Sequence, residues 1–322
     1  MSNKNKACQV MLSTCSDCQK DEHLLFVTDP TSLDVAQTMW EAAAGFPNKS
    51  IIVMDERTMH GQNPNRMVAA AMADADVIFG ATKFSLFHSQ ARRDAVAKGA
   101  RFVNMADYKV SMFESGGLFA DFVKQGEVCA FLGRSMAGKE ILISTKRGTY
   151  FTASIEGRQT VPQFARSLKP GDSSSPPDIE CAVCAVEGTA NGIVYVDGSI
   201  PHPRLGLIHD EIKLEIQNGR IVSITGGPQS EILSQILHDF QDDNVYCVGE
   251  IGVGLNPECR LNGNMLEDEG CAGTVHFGFG SNIGFHGVID CPYHLDMVFR
   301  EPDVQIDRRA ILERGQVVGF KE

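Results

Sequence analysis

Four short apolar runs punctuate the first 105 residues, and a helix-patterned segment follows each of the first three. This alternation constrains the fold more than any other feature of the chain. The runs are His23–Thr28, Ile51–Met54, Val77–Phe79 and Arg101–Met105. Between them, Leu33, Val35, Ala36, Met39, Trp40 and Ala43 recur at helical spacing, Met67–Ala73 reads as a second helix and Gln90–Lys98 as a third, ended by Gly99. Asp29-Pro30 breaks the first run, and Thr31 with Asp34 resembles a capping box at the start of the helix. Strands that alternate with helices imply parallel βαβ units, hence a doubly wound, Rossmann-like α/β domain. No G-x-G-x-x-G follows the first run, so nothing marks a dinucleotide site, and the topology alone does not establish a cofactor.

From about Glu127 the pattern changes to hairpins. Glu140–Thr145 and Thr149–Ile155 flank Lys146-Arg147-Gly148, while Glu211–Ile216 and Arg220–Thr225 flank Asn218-Gly219, a strong turn signal. A helix is expected over Ser230–Gln241, and the Pro- and Ser-rich stretch Lys169–Pro177 reads as an exposed loop. The expected organisation is therefore a Rossmann-like domain over residues 1–128 and a sheet-rich α+β metal-binding domain over residues 129–322.

Charge narrows the partners. With 29 basic and 41 acidic residues the net charge is −12, which disfavours nucleic acids and anionic membranes, since both demand clustered Lys and Arg. No apolar run approaches the roughly 20 residues that span a bilayer. The polar N-terminal segment lacks the apolar region of a signal peptide. The expectation is a cytoplasmic homo-oligomer acting on a small-molecule or peptide substrate. Ten cysteines diluted over 322 residues do not make a disulfide frame. Cys15 and Cys18 lie in a polar segment where reduced thiols are expected, with a metal or redox role as the alternative. Cys181 and Cys184 sit three apart on an apolar strand and so point to opposite faces, a poor arrangement for sharing an ion.

The residues that can carry chemistry cluster late in the chain. In His294-Leu295-Asp296, strand geometry puts the imidazole and carboxylate on one face, a natural half-site for a divalent metal. His276 takes the polar face of Thr274–Gly280, opposite Val275, Phe277 and Phe279, with small Thr274 and Gly278 leaving room around its ring. Glu250 ends an apolar segment beside a glycine-rich turn, and Glu180 opens an otherwise apolar strand; both carboxylates are costly to bury unless paired or coordinated. The acidic run Met265–Glu269 reads as a solvated turn. Taken singly, each has a structural explanation. Together, Glu180, Glu250, His276, His294 and Asp296 could hold two adjacent metals.

Two family resemblances follow from these residues. Glu180, Val186-Glu-Gly-Thr-Ala-Asn-Gly192, Val196-Asp-Gly198, Gly249–Pro257, Asp268–His276 and His294-Leu-Asp296 stand in the order seen in the M29 metallopeptidases of the aminopeptidase T type. This resembling stretch covers roughly residues 130–300. It implies that Glu180, Glu250, His276, His294 and Asp296 bind a pair of divalent ions, zinc, cobalt or manganese. Cys271 stands where those peptidases carry a carboxylate, and Glu269, two residues earlier, is the expected substitute.

The chain is also similar, over more of its length, to the 2,5-dihydroxypyridine dioxygenases, mononuclear non-haem iron enzymes that cleave a ring. Ser85-Leu-Phe-His88-Ser89 before a helix matches their acid–base histidine, and His294-Leu-Asp296 and Gly252–Pro257 are shared. A histidine stands in that family at the position of Glu250, and counterparts of Glu180 and His276 are lacking. His276, His294 and Asp296 could still make a facial triad for iron(II). Because the ligand set is closer to that of the peptidases, the leading expectation is a metal-dependent hydrolase that cleaves an N-terminal peptide bond or a small amide, with Glu269 or His88 moving protons. An iron(II) ring-cleaving dioxygenase is the alternative, and a purely structural metal is the third reading.

Overall fold

The computed structural model describes residues 2–321. The chain divides into two compact units, one comprising Met1–Val123 with Phe164–Pro177, the other Lys124–Gln163 with Asp178–Glu322. The sequence suggested a single crossing near residue 128; instead the segment 164–177 returns to the first unit. No helix among the described residues is long and apolar enough to cross a membrane.

The first unit is built on parallel strands β1 (Leu24–Thr28), β2 (Lys49–Val53), β3 (Val77–Ala81) and β4 (Arg101–Asn104), interleaved with helices. The helices are α1 (Asn3–Gln9), α2 (Leu33–Ala42), α3 (Arg66–Met72) and α4 (Gln90–Ala97). Strands β1, β3 and β4 are buried along their whole length, as strands covered on both faces must be. Phe26 and Phe79 are paired across β1 and β3 and stack at 5.1 Å, and Trp40 of α2 meets Phe26 edge-on. The strand order β2-β1-β3-β4 reverses direction between β1 and β3, the place where open α/β sheets bind ligands beyond their carboxyl ends. Here Asp29 fills that position. Its Oδ1 accepts hydrogen bonds from the Thr31 and Ser32 backbone N–H groups, and its Oδ2 accepts one from Lys83 N–H at 2.7 Å. The expected capping box is therefore absent: Ser32 is the N-cap and caps nothing with its side chain, while Thr31 donates to Glu56.

The loop expected over Lys169–Pro177 differs as well. Strand β8 (Ser173–Ser174) adds to the edge of β4, and Ser174 and Ser175 are buried. Ser167 donates to the Phe102 carbonyl, and Asn104 donates to the Ser175 hydroxyl, so the serines satisfy backbone and amide groups that solvent was expected to serve. Cys15 is likewise buried in the helical turn Val10–Cys15 and not set in a polar segment, and all ten cysteines are free.

The second unit contains two antiparallel sheets. One holds eight strands in the order β14-β13-β10-β6-β5-β18-β19-β20. These are β5 (Glu140–Ser144), β6 (Tyr150–Ser154), β10 (Asn191–Val196), β13 (Ile212–Gln217), β14 (Arg220–Gly226), β18 (Asp303–Ile306), β19 (Arg309–Glu313) and β20 (Gln316–Val317). The turn Asn218-Gly219 joins β13 to β14 with both residues at positive φ, as the sequence implied. The other sheet holds seven strands in the order β12-β11-β17-β16-β15-β9-β7. They are β7 (Thr160–Gln163), β9 (Glu180–Val183), β11 (Ser199–Ile200), β12 (Gly206–Leu207), β15 (Val248–Gly254), β16 (Thr274–Gly280) and β17 (His294–Arg300). Helices α5 (Phe122–Ser135), α6 (Pro228–Asp239) and α7 (Met265–Asp268) complete the chain.

Alternation along β16 and β17 turns Val275, Phe277, Phe279, Leu295, Met297 and Phe299 to one apolar face. Phe277 meets Phe151 of β6 at 4.5 Å and Phe299 at 5.1 Å, so this face is the core between the two sheets. Each such side chain contributes roughly 1.5–3 kcal/mol by leaving water. The opposite face of the same strands carries the polar residues.

Candidate metal centre

Strand register collects the sequence-predicted ligands on that polar face. His276 lies across from Gly252, Gly278 is flanked by Glu250 and Asp296, and Glu180 lies across from Gly254. The position of Glu250 depends on a β-bulge. Val248 pairs with Phe279 but Glu250 pairs with Gly278, so Gly249 is an extra residue in β15. Continuous pairing would place Glu250 opposite Phe277, in the apolar core; the bulge turns its carboxylate to the polar face.

Two glycines make the space. A Cβ on Gly252 would come within 2.0 Å of His276 Nε2, and one on Gly278 within 2.4 Å of His294 Cε1. Gly278 therefore makes room for His294, not for His276 as its place on the same strand suggested; the imidazole that fills a glycine's space comes from the neighbouring strand.

The resulting cluster has two groups of converging ligand atoms, Glu180–Glu250–His276 and Glu250–His294–Asp296, each with its atoms within 4.8 Å of one another. His276 Nε2 is 3.0 Å from Glu180 Oε2 and 3.6 Å from Glu250 Oε1. His294 Nε2 is 3.0 Å from Glu250 Oε2 and 3.3 Å from Asp296 Oδ1. Glu250 belongs to both groups. The triad His276–His294–Asp296 considered from the sequence is not one of them: His276 groups with the two glutamates.

Burial shapes the electrostatics. It acts to push the His276 pKa down, but the Glu180 and Glu250 carboxylates prevail and hold it well above the usual range. His294 is raised in the same way, against burial, by Asp296 and Glu250. Burial acts to raise Asp296, yet His294 and His276 keep it below the ordinary carboxylate range. Glu180 is raised by burial despite His276. Its second oxygen accepts from the Gln163 amide. Buried Glu180 Oε2, Glu250 Oε1, Asp296 Oδ1 and His276 Nδ1 lack hydrogen-bond partners. Several carboxylates and imidazoles gathered out of water with unused lone pairs fit a divalent cation, which would satisfy them together.

Two further acids border the cluster. Glu269, offered from the sequence as a substitute ligand, follows α7 and joins neither ligand group. Burial, then the Asp296 charge, pushes its pKa well above the usual value. Asp178 was missed. It is buried, and burial, then the Glu180 charge, pushes its pKa well above the usual range. The signal lay in the period of two that puts Asp178 and Glu180 on one face, obscured by the preceding prolines. The Met265–Glu269 run is no solvated turn either: buried Asp268 accepts from the Asn262 and Gly263 N–H groups and closes the loop before α7. The Cys271 thiol faces the Cys259 carbonyl at 3.4 Å and belongs to neither ligand group. His88 lies in the first unit, exposed, immediately before the Ser89 cap of α4. The ligand groups are drawn wholly from the second unit.

Fold and cluster together define a metal-binding enzyme of the α/β class. The chain belongs to the 2,5-dihydroxypyridine 5,6-dioxygenase (NicX) family, whose model matches residues 7–319. A curated relative, 2,5-dihydroxypyridine 5,6-dioxygenase of Pseudomonas putida, is 28% identical over 194 residues, which cover 57% of this chain and 55% of the relative. That aligned stretch thus spans about half the relative's length. Among solved structures, the 2,5-dihydroxypyridine dioxygenase of Pseudomonas putida superposes with a TM-score of 0.83 at 21% identity, covering 100% of this chain and 99% of that one. Wild-type AmpT from Thermus thermophilus superposes with a TM-score of 0.69 at 13% identity, covering 98% and 99%. The resemblance to both groups therefore holds, and the shared architecture is the expected α/β fold. The hydrolase reading does not hold. It rested on ligand order over residues 130–300, whereas the family match runs through both units and lies with the dioxygenases.

Proposed function

We propose that the chain is a metal-dependent dioxygenase that opens a hydroxylated N-heteroaromatic ring, with iron(II) as its metal. The observation that carries this reading is the family match over residues 7–319, which includes the converging group Glu250–His294–Asp296. Those three residues would hold the ion, with Glu180 and His276 beside them. Bound iron(II) would supply the oxygen affinity and redox chemistry that no side chain of the cluster offers. With Glu250 where the resemblance implies a histidine, this group has one imidazole and two carboxylates, a departure from the two-histidine, one-carboxylate iron triad. Glu269 lies beside Asp296 and, when protonated, can donate a hydrogen bond to that carboxylate. Apolar packing beneath the strands keeps the ligands in place.

The test is anaerobic reconstitution with Fe²⁺, iron quantification per chain, and oxygen uptake with 2,5-dihydroxypyridine. The expected result is one iron per chain and uptake that disappears in His294→Ala and Asp296→Asn. Iron-loaded protein that consumes no oxygen with this or related dihydroxypyridines would count against the reading. Two ions per chain would indicate that Glu180–Glu250–His276 is filled as well.

A further inference from the structure

His294 is the most solvent-open ligand, with 29% of its side chain exposed, and its ring is held by a segment outside the ligand set. The Ser281 carbonyl lies 2.8 Å from His294 Nδ1. A carbonyl only accepts, so Nδ1 carries the proton and Nε2 faces Glu250 and Asp296. Phe285 stacks on the imidazole face, with centroids 5.8 Å apart and planes 26° from parallel. Both contacts come from the loop between β16 and β17. We infer that Asn282 and Glu187 are positioning residues that fix this loop and, through Ser281 and Phe285, set the tautomer and orientation of His294 for metal binding. This inference rests on the proposed metal site.

Asn282 is fully buried and ties the loop together. Its Oδ1 accepts from Ile289 N–H at 2.7 Å, and its own N–H donates to the Ile289 carbonyl at 3.1 Å. Its carbonyl accepts from Phe285 and Gly287, each at 3.0 Å. Its amide Nδ2 donates to Glu187 Oε1 at 3.0 Å and faces Cys184 Sγ. The same Glu187 oxygen accepts from Val288 N–H at 3.0 Å, and the other oxygen is paired with Arg158. Arg158 in turn donates to the His286 carbonyl at 3.1 Å. A Cβ on Gly287 would come within 2.1 Å of Asn282 Cγ, so the loop is folded against the amide. One buried amide and one carboxylate thus hold both ends of a loop that otherwise contributes little apolar burial: Ile283 and Val288 are 53% and 75% exposed. An amide at this position suits the site, because an aspartate would set a second carboxylate against Glu187 and lose the donor.

The experiment uses the full chain titrated with Co²⁺. Asn282→Asp is expected to weaken Co²⁺ binding about 10- to 100-fold, the usual range for residues that orient a ligand. Adding Glu187→Gln should restore only part of the affinity: the amide can donate to the new carboxylate, but the atom that does so no longer accepts from Val288 N–H. In the Co²⁺-loaded protein, the shifted, solvent-exchangeable proton resonance of His294 Nδ1–H should exchange faster in Asn282→Asp and at an intermediate rate in the double variant. Affinity within twofold of the unsubstituted chain would overturn the inference. So would weakened binding with unchanged Nδ1–H exchange, which marks a merely structural role. Full-length protein that binds no Co²⁺ would overturn the metal reading itself, and this inference with it.

Discussion

At the scale of single residues, the site is defined as much by missing side chains as by those present. Gly278 has Glu250 and Asp296 as its neighbours across the strands, and its bare Cα is where the His294 ring fits. Gly278→Ala should cost about 1–3 kcal/mol as an overpacked substitution. It should also displace His294, so that Co²⁺ affinity falls more than thermal stability alone suggests; titration alongside a melting curve checks both. The buried thiols make a different prediction. Burial pushes the Cys8 pKa up to about 11, opposed in part by Lys4. A folded pKa above the unfolded one means stability that is complete below the unfolded value and is lost as pH rises through the folded one. Denaturant stability followed by the fluorescence of Trp40, the one tryptophan, should therefore decline between about pH 9 and pH 11. The decline should be shallower in Cys8→Ala.

At the scale of elements, the β-bulge at Gly249 decides what β15 contributes. Period-two reasoning correctly placed His294 with Asp296, and His276 opposite Phe277, because β16 and β17 run without interruption. It could not say which face Glu250 occupies, since one extra residue reverses the alternation and the sequence of β15 does not announce it. Deleting Gly249 should turn Glu250 into the apolar face, abolishing tight Co²⁺ binding and lowering the melting temperature. Retained affinity in the deletion variant would show that the bulge does not aim the carboxylate. The first unit shows the same division. The apolar runs were legible because strands buried on both faces read as continuous apolar segments, whereas the capping box failed because the Thr31 hydroxyl donates to Glu56 and Ser32, not Thr31, is the N-cap.

At the scale of the whole molecule, the buried acids shift the meaning of the −12 net charge. Asp178, Glu180, Glu250 and Asp296 are at most 5% exposed and lie around one cluster. A cation that binds the native state and not the unfolded chain stabilises the fold by mass action, about 2.7 kcal/mol at a free concentration one hundred times the dissociation constant. Removing metal with a chelator should therefore lower the melting temperature measured by circular dichroism, and re-adding Fe²⁺ or Co²⁺ should restore it. The same chelation should leave His294→Ala nearly unchanged, because that variant has little metal stabilisation to lose.

The sequence by itself determined the βαβ half, the hairpin half, the Asn218-Gly219 turn and the pairing of His294 with Asp296. These follow from periodicity and turn chemistry, which act between residues close in the chain. Only the tertiary structure decided that Glu250 faces the cluster, that Gly252 and Gly278 hold space for imidazoles from other strands, and that Asp178, Glu269 and Asn282 border the site. Those facts depend on register, a bulge and a loop that folds back more than 90 residues to reach Glu187. Contacts between distant segments are set by how sheets align, and a pattern read along the chain carries no record of that alignment.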